Sequence, residues 1–312
     1  MLKVNNLNFG YSEVPILKSI EFQVPEGKHF SIIGRSGSGK STILKAIFGN
    51  FDLKGGSIYW KDTLILGPAF NLVVGYPFMK YVAQEFDLMP YANVEETIGK
   101  FLSNFYPDKK KKRVDELMDL IELTPWAKTK VSRLSGGQKQ RVYLAQSIAN
   151  LPEIILLDEP FSHIDNFKKQ ELRRRIFSYL KRNNVTCIVA THDKEDILGY
   201  TDEIMVIEEG ETIQMDKAEK LFSNPKNGLV ASFFGEYNLF YSHELDGSKE
   251  SEVILYSHQL RIESEGKFEG EVLNSYYKGT YYLIELLFNK RSILIDHSIP
   301  LERGLKVKFN IG

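Results

Sequence analysis

The sequence predicts an α/β fold that carries an antiparallel β subdomain and a helical subdomain, followed by a small all-β domain. Three observations lead there. The short apolar run Phe30–Ile33 stops at a glycine cluster, Gly34–Gly39, and a helical pattern with Ile43, Leu44 and Ile47 on one side follows over Ser41–Phe48. Strand, glycine-rich loop and helix open a parallel α/β unit. Farther on, Ile154–Leu157, a helix from about Phe167 to Arg182 and Val185–Ala190 repeat the alternation. From Val253 onward, short alternating segments such as Tyr281–Leu287 and Leu305–Phe309 are punctuated by Gly266, Gly270, Gly279 and Gly304. That is the pattern of a small all-β module.

From the amino terminus, Leu2–Phe9 and Ile16–Val24 alternate as strands of an exposed antiparallel sheet, with Pro25–Gly27 as a turn. Between about Asn93 and Leu123 the character is helical. Asp108 is placed to cap a helix whose apolar face is Val114, Leu117, Met118 and Ile121. The lysine run Lys109–Arg113 in its first turn reads as a solvated face or as a contact for an acidic partner. A further helix is expected over Lys194–Tyr200, with strands at Glu203–Ile207 and Thr212–Met215 closing the lobe. The first domain is expected over residues 1–232, a linker over 233–246 and the β domain over 247–312.

At 312 residues, 43% of them apolar, the chain can build a sizeable core. A net charge of −1 gives no general attraction to nucleic acid or anionic lipid, and no nucleic-acid partner is expected. The single cysteine, Cys187, excludes an internal disulfide and a cysteine metal cluster; its apolar setting makes it a buried strand residue. No run of about 18 apolar residues is present to span a bilayer, and Met1–Phe9 lacks the apolar core of a signal peptide. A cytoplasmic location is expected, with any membrane attachment supplied by another subunit.

Three motifs carry chemistry. Gly34-Arg-Ser-Gly-Ser-Gly-Lys40-Ser41 fits G-x-x-x-x-G-K-[ST], a known phosphate-loop pattern. Its glycines let backbone N–H groups turn inwards around phosphate oxygens, and the helix that starts near Lys40 aims its positive end at them. Lys40 is then placed for the β- and γ-phosphates and the Ser41 hydroxyl for Mg²⁺. Ile154-Ile-Leu-Leu-Asp158-Glu159-Pro160 is a buried strand ending in two acids, at the edge where parallel sheets bind ligands. Acids in that position also cap helices. Downstream of a phosphate loop, Asp158 fits a direct or water-mediated holder of Mg²⁺, and Glu159 is placed to orient or deprotonate the attacking water. Leu134-Ser135-Gly136-Gly137-Gln138 precedes a helix, where Ser135 is either a simple N-cap or part of a second anion-ready helix end. Two phosphate sites far apart in one sequence suggest a head-to-tail dimer.

Phosphate loop, LSGGQ and Asp-Glu-Pro in that order resemble the nucleotide-binding subunit of ABC transporters, across residues 1 to about 232. The fold implied is the P-loop NTPase fold of ABC ATPase type, and the activity is ATP hydrolysis coupled to transport, with ATP and Mg²⁺ as cofactors. By this resemblance Tyr11 stacks on adenine, and Gly34, Arg35, Ser36, Gly37, Ser38, Gly39, Lys40, Ser41 and Thr42 hold the triphosphate. Gln84 resembles the Q-loop glutamine at the Mg²⁺ and water site, which links to the membrane subunits. His192 resembles the switch histidine at the γ-phosphate. Ser135, Gly136, Gly137, Gln138 and Asp165 resemble the groups that complete a neighbour's ATP site. Ser41, Gln84 and Asp158 are the implied metal ligands; Lys40, Gln84, Glu159 and His192 are the implied catalytic set. The partners implied are a second copy or a homologous ATPase subunit, permease subunits and an extracytoplasmic solute-binding protein.

Two departures stand out: His163-Ile164 precedes Asp165 where a small residue and leucine are usual, and Gln146-Ser147 replaces a basic and small pair. The tail resembles the transport-associated OB-like (TOBE) module of importer ATPases, joined through Phe233–Asn238. Ser257-His258-Gln259 stands where that group has arginine-proline-glutamate, which favours bracing of the dimer over ligand binding. The tail favours an importer of a small solute such as ferric ion, polyamine, oxyanion or sugar. An exporter ATPase, which lacks such a tail, is the alternative. A ribosome- or DNA-acting ABC protein fits less well, since the chain has one phosphate loop and no sustained heptads.

Overall fold

The computed structural model describes residues 1–85, 88–245 and 251–312. The chain divides into two compact units, Met1–Ala218 and Glu219–Gly312. In the first, strands β1 (Leu2–Phe9), β2 (Leu17–Val24), β4 (Gly55–Trp60) and β5 (Thr63–Leu64) form an antiparallel sheet in the order β2-β1-β4-β5. A six-stranded sheet holds β3 (His29–Ile33), β6 (Met79–Val82), β7 (Ile154–Asp158), β8 (Thr186–Thr191), β9 (Glu203–Glu208) and β10 (Glu211–Asp216), in the order β10-β9-β3-β8-β7-β6. Every pairing in it is parallel except that of β9 with β10.

The sequence explains why the central strands are apolar throughout. Strands β3, β7 and β8 are buried along their whole length, as strands with both faces covered must be. On β7 the alternation sends Ile154 and Leu156 into one core, with Leu2, Phe22, Phe30 and helix α1 (Lys40–Phe48). Ile155 and Leu157 face the other core, with helices α2 (Val94–Ile98), α3 (Pro107–Leu120), α4 (Gly136–Ile148) and α5 (Asn166–Arg182). Cys187 sits on β8 with no exposure, and burial pushes its thiol pKa up. It is packing, as expected.

Two local expectations are corrected. Helix α3 begins at Pro107, with Tyr106 at the N-cap and Asp108 in the first turn. Proline's fixed φ and missing N–H suit the first helical position, and they outcompete Asp108 as the starting point. The helix expected over Lys194–Tyr200 is only a 3-10 turn, Lys194–Asp196, opened by the Asp193 side chain accepting from Glu195 N–H at 3.0 Å. Gly199 at φ +86° and the pairing of Asp193 and Asp196 with Arg173 explain why it goes no further. Within the lysine run Arg113 turns inward. Its Nε and Nη2 donate to Ala149 and Ile148 carbonyls at 3.0 and 2.8 Å, satisfying the end of α4.

Helix α6 (Ala218–Ser223) opens at the division between units, which falls earlier than residue 232. The second unit adds α7 (Gly228–Ser232), which packs on the pair β11 (Tyr237–Tyr241) and β12 (Glu252–Tyr256), and a short helix α8 (Ser242–Leu245). Strands β13 (Leu260–Ile262), β14 (Phe268–Tyr277), β15 (Tyr282–Phe288), β16 (Arg291–His297) and β17 (Lys306–Ile311) make a sheet in the order β13-β17-β14-β15-β16. The stretch 233–246, read as a linker, thus holds β11 and α8; its last residue and the first of the expected β domain, 246–250, lie outside the described residues. Strand β11 belongs there because Asn238 pairs both ways with Leu294, at 2.8 and 2.7 Å, and Phe240 enters a core with Ile284, Leu286 and Phe309.

Candidate active site

The glycine-rich loop joins β3 to α1 at the carboxyl edge of the parallel sheet. Gly37 and Gly39 take φ values of +81° and +106°, which side chains with a Cβ adopt only under strain. The loop borders a cleft of about 480 Å³ lined by Ile16, Ser36, Gly37, Gly39, Lys40, Ser41, Thr42, Gln84, Glu159 and His192. Lys40 Nζ donates to the carbonyls of Gly34 and Arg35 at 2.8 and 3.0 Å, stitching the loop from within. Burial lowers its pKa, with the charges of Glu159 and Asp158 acting in the opposite sense. Of the expected loop residues, Gly34, Arg35 and Ser38 do not line the cleft. Ser38 is buried, with its carbonyl accepting from Gly210 N–H, and Arg35 points outward, 3.9 Å from Glu208.

The two acids at the end of β7 have separate settings. Asp158 Oδ1 accepts from the Ser41 hydroxyl at 2.9 Å and Oδ2 from the Tyr81 hydroxyl at 2.9 Å. Burial raises its pKa despite both donors, and burial likewise raises that of Tyr81. A desolvated carboxylate beside a serine hydroxyl, with the Gln84 amide on the same cleft, is a set of hard oxygen donors. Such a set suits Mg²⁺, which takes few protein ligands and keeps water and phosphate oxygens. Glu159 sits at φ +48°, a costly conformation for a side-chain-bearing residue. Its N–H donates to Ala190 O at 2.9 Å, and its carbonyl accepts from Gln140 Nε2 at 3.2 Å. Its Oε1 lies 2.7 Å from His192 Nδ1 and its Oε2 3.2 Å from the Thr191 hydroxyl.

Ser135, Gly136, Gly137, Gln138 and Asp165 do not line this cleft. Ser135 caps α4 in a reciprocal box: its side chain accepts from Gln138 N–H at 3.3 Å, and Gln138 Oε1 accepts from Ser135 N–H at 2.9 Å. Gly137 lies where a Cβ would approach His163 O to 2.8 Å, whereas around Gly136 there is open space. Asp165 is the N-cap residue of α5 without a side-chain cap bond. Tyr11 does not line the cleft either; it packs edge-on against Phe9 and Phe51 and is 61% exposed.

Sequence reasoning missed three residues. Tyr81 holds Asp158, Thr191 holds Glu159, and Gln140 bridges Glu159 O and His163 N–H, at 3.2 and 3.0 Å. Only Gln140 left a signal: a buried polar residue in helical register with the buried Leu144 and Ile148.

A sequence profile described as ABC transporter matches residues 17–162. The Fe(3+) ions import ATP-binding protein FbpC 2 of Haemophilus influenzae is 31% identical, over 96% of this chain and 91% of its own length. Among solved structures, a dimeric ATP-binding cassette in a post-hydrolysis state, bound to ADP and Pi, superposes with a TM-score of 0.60 at 28% identity. That match covers 70% of this chain and 98% of the other. The protein cbiO1 from Clostridium perfringens, described as part of the ABC transporter complex cbiONQ, superposes at 0.62 with 26% identity, over 72% of this chain and 91% of its own.

Proposed function

This chain belongs to the ABC transporter family and is an ATPase that uses ATP with Mg²⁺, and on that footing we propose that it powers the import of a small solute, of the ferric-ion class, through permease subunits at the cytoplasmic face of the membrane. The observation that carries the solute is full-length similarity, β unit included, to a protein named for Fe(3+) import. No helix among the described residues is long and apolar enough to cross a membrane, so the permeation path belongs to other chains.

In this reading Lys40 and the N–H groups of Gly37 and Gly39–Ser41 bind the β- and γ-phosphates, with Gly34–Ser36, Ser38 and Thr42 shaping the loop. Tyr11 offers its exposed ring to adenine. Ser41, Asp158 and Gln84 would hold the Mg²⁺, which supplies charge neutralisation for the phosphate oxygens. Glu159 takes the proton of the attacking water, and His192 holds Glu159 through Nδ1 and faces the γ-phosphate. Ser135, Gly136, Gly137, Gln138 and Asp165 serve the site of a second copy, a role supported by their absence from this chain's own cleft.

The permease surface is proposed on the helical region after Gln84. Tyr91 and Phe105 are 83% and 91% exposed, and Phe101 and Tyr106 join them. Phe101, Phe105 and Tyr106 are close in sequence, and exposed aromatics are enriched at interaction surfaces. The test is reconstitution with the permease and its solute-binding protein. Ferric-loaded binding protein is expected to raise ATP hydrolysis several-fold, roughly the range of modest allosteric coupling. Phe105→Asp is expected to abolish that stimulation and leave the chain's own hydrolysis unchanged. Stimulation by another solute class with none from ferric ion would replace the solute; a stimulated Phe105→Asp would move the surface.

A further inference from the structure

Among the described residues, the carboxylate of Glu159 has two side-chain anchors of very different burial. His192 is 70% exposed at its side chain. Thr191, at the end of β8, has no exposed surface. Its hydroxyl oxygen accepts from Asp193 N–H at 3.0 Å and lies 3.2 Å from Glu159 Oε2 and 2.8 Å from Asp196 Oδ2. A hydroxyl carries one proton. It therefore serves one of these two carboxylates at a time.

What stands behind Asp196 decides how strongly it competes. Arg173 Nε donates to Asp196 Oδ1 at 2.5 Å, its terminal nitrogen also touches that oxygen, and the same nitrogen donates to Asp193 Oδ2 at 2.6 Å. Lys169 Nζ adds a bond to Asp193 Oδ2 at 2.8 Å. Arg173 and Asp196 are each 2% exposed. Asp196 is the nearer acceptor, at 2.8 Å against 3.2 Å for Glu159, but a desolvated guanidinium paired with a carboxylate offsets most of its charge, so Asp196 is a weaker rival for the threonine proton than a bare carboxylate would be.

We propose that Thr191 is a positioning residue for ATP hydrolysis: its hydroxyl donates to Oε2 of Glu159, and the Asp193 N–H, which donates to the same hydroxyl oxygen, holds it in place from behind. The inference rests on Glu159 being the base. With the proton directed at Glu159, the carboxylate keeps one orientation even while His192 moves. With it directed at Asp196, Glu159 retains only the exposed histidine and its torsion is loose. A base must stay within hydrogen-bond reach of the water it deprotonates, so loosening lowers kcat and leaves ATP binding alone, since Thr191 does not line the cleft.

The experiment compares full-length Thr191→Val, Thr191→Ser and Glu159→Gln. Thr191→Val keeps the side-chain shape and removes the hydroxyl. It is expected to lower kcat by about 10- to 100-fold with KM for ATP within about twofold, and Thr191→Ser to recover most of the loss. In single-turnover hydrolysis, Thr191→Val added to Glu159→Gln is expected to cost less than about twofold more, because the hydroxyl acts through the carboxylate. Wild-type kcat in Thr191→Val overturns the proposal. So does failure of Thr191→Ser to exceed Thr191→Val, or a loss of ATP affinity that matches the loss of kcat. Wild-type turnover by Glu159→Gln overturns the base reading instead, and with it the reason for an anchor. Glu159→Gln inactive with Thr191→Val normal removes only the anchor.

Discussion

Glu159→Gln is expected to lower kcat for ATP hydrolysis by about 100- to 1000-fold, equivalent to roughly 3–4 kcal/mol of barrier, while ATP affinity stays within about threefold. The amide has the shape of the carboxylate and fits the same contacts. Its oxygen can accept from the Thr191 hydroxyl, and its NH2 can donate to His192 Nδ1 if the imidazole carries its proton on Nε2. Geometry is kept, and only the ability to take a proton is lost. The strained backbone at Glu159, held by Ala190 O and Gln140, should be indifferent to the exchange. Because hydrolysis is what ends the ATP-bound state, the variant should also accumulate as an ATP-loaded dimer on gel filtration. Phosphate release at the wild-type rate would reassign the base.

Much of the fold was legible because its signals are local. The apolar runs that became β3, β7 and β8, the alternation of Leu2–Phe9 and the glycine loop each carry their own pattern, and the strands at Leu2–Phe9 and Glu203–Glu208 start where expected. What failed was competition between neighbours. Pro107 overrode Asp108 as the start of α3. The apparent helix after Asp193 was shortened because its acids are drawn to Arg173, on α5, which no local pattern announces. Strand β11 was read as linker since its partner, β12, lies across the residues 246–250 and its clamp, Leu294, is far along the chain.

The candidate site divides in the same way. Lys40, Ser41, Gln84, Glu159 and His192, read from motifs, share one cleft, and Asp158 is tied to Ser41. The residues that hold them, Tyr81, Gln140 and Thr191, were not read. Motifs record groups that meet the substrate, whereas supporting groups depend on which elements lie side by side. Tyr81 reaches Asp158 because β6 pairs with β7, and Thr191 reaches Glu159 because β7 pairs with β8.

Gly136→Asp is expected to reduce ATP hydrolysis by about 100-fold or more without harming the monomer, and the two effects have opposite physical signs. In the single chain, an added Cβ at Gly136 meets nothing within 4 Å among the described residues. An acid in the first turn of α4 faces the positive helix end, which stabilises by about 0.3–1 kcal/mol. The melting temperature should therefore hold or rise slightly. In the proposed head-to-tail dimer the same carboxylate faces the triphosphate seated on the partner's Lys40 loop. Two like charges about 4 Å apart repel by roughly 4 kcal/mol in a partly buried setting, and a triphosphate carries several. The decisive version combines it with Glu159→Gln, which traps the dimer. The double variant is expected to bind ATP with the affinity of Glu159→Gln alone, because Gly136 does not line its own cleft, and to elute as a monomer. Should it still elute as a dimer at the same ATP concentration, the Ser135–Gln138 turn does not face a neighbour's nucleotide, and the shared site falls.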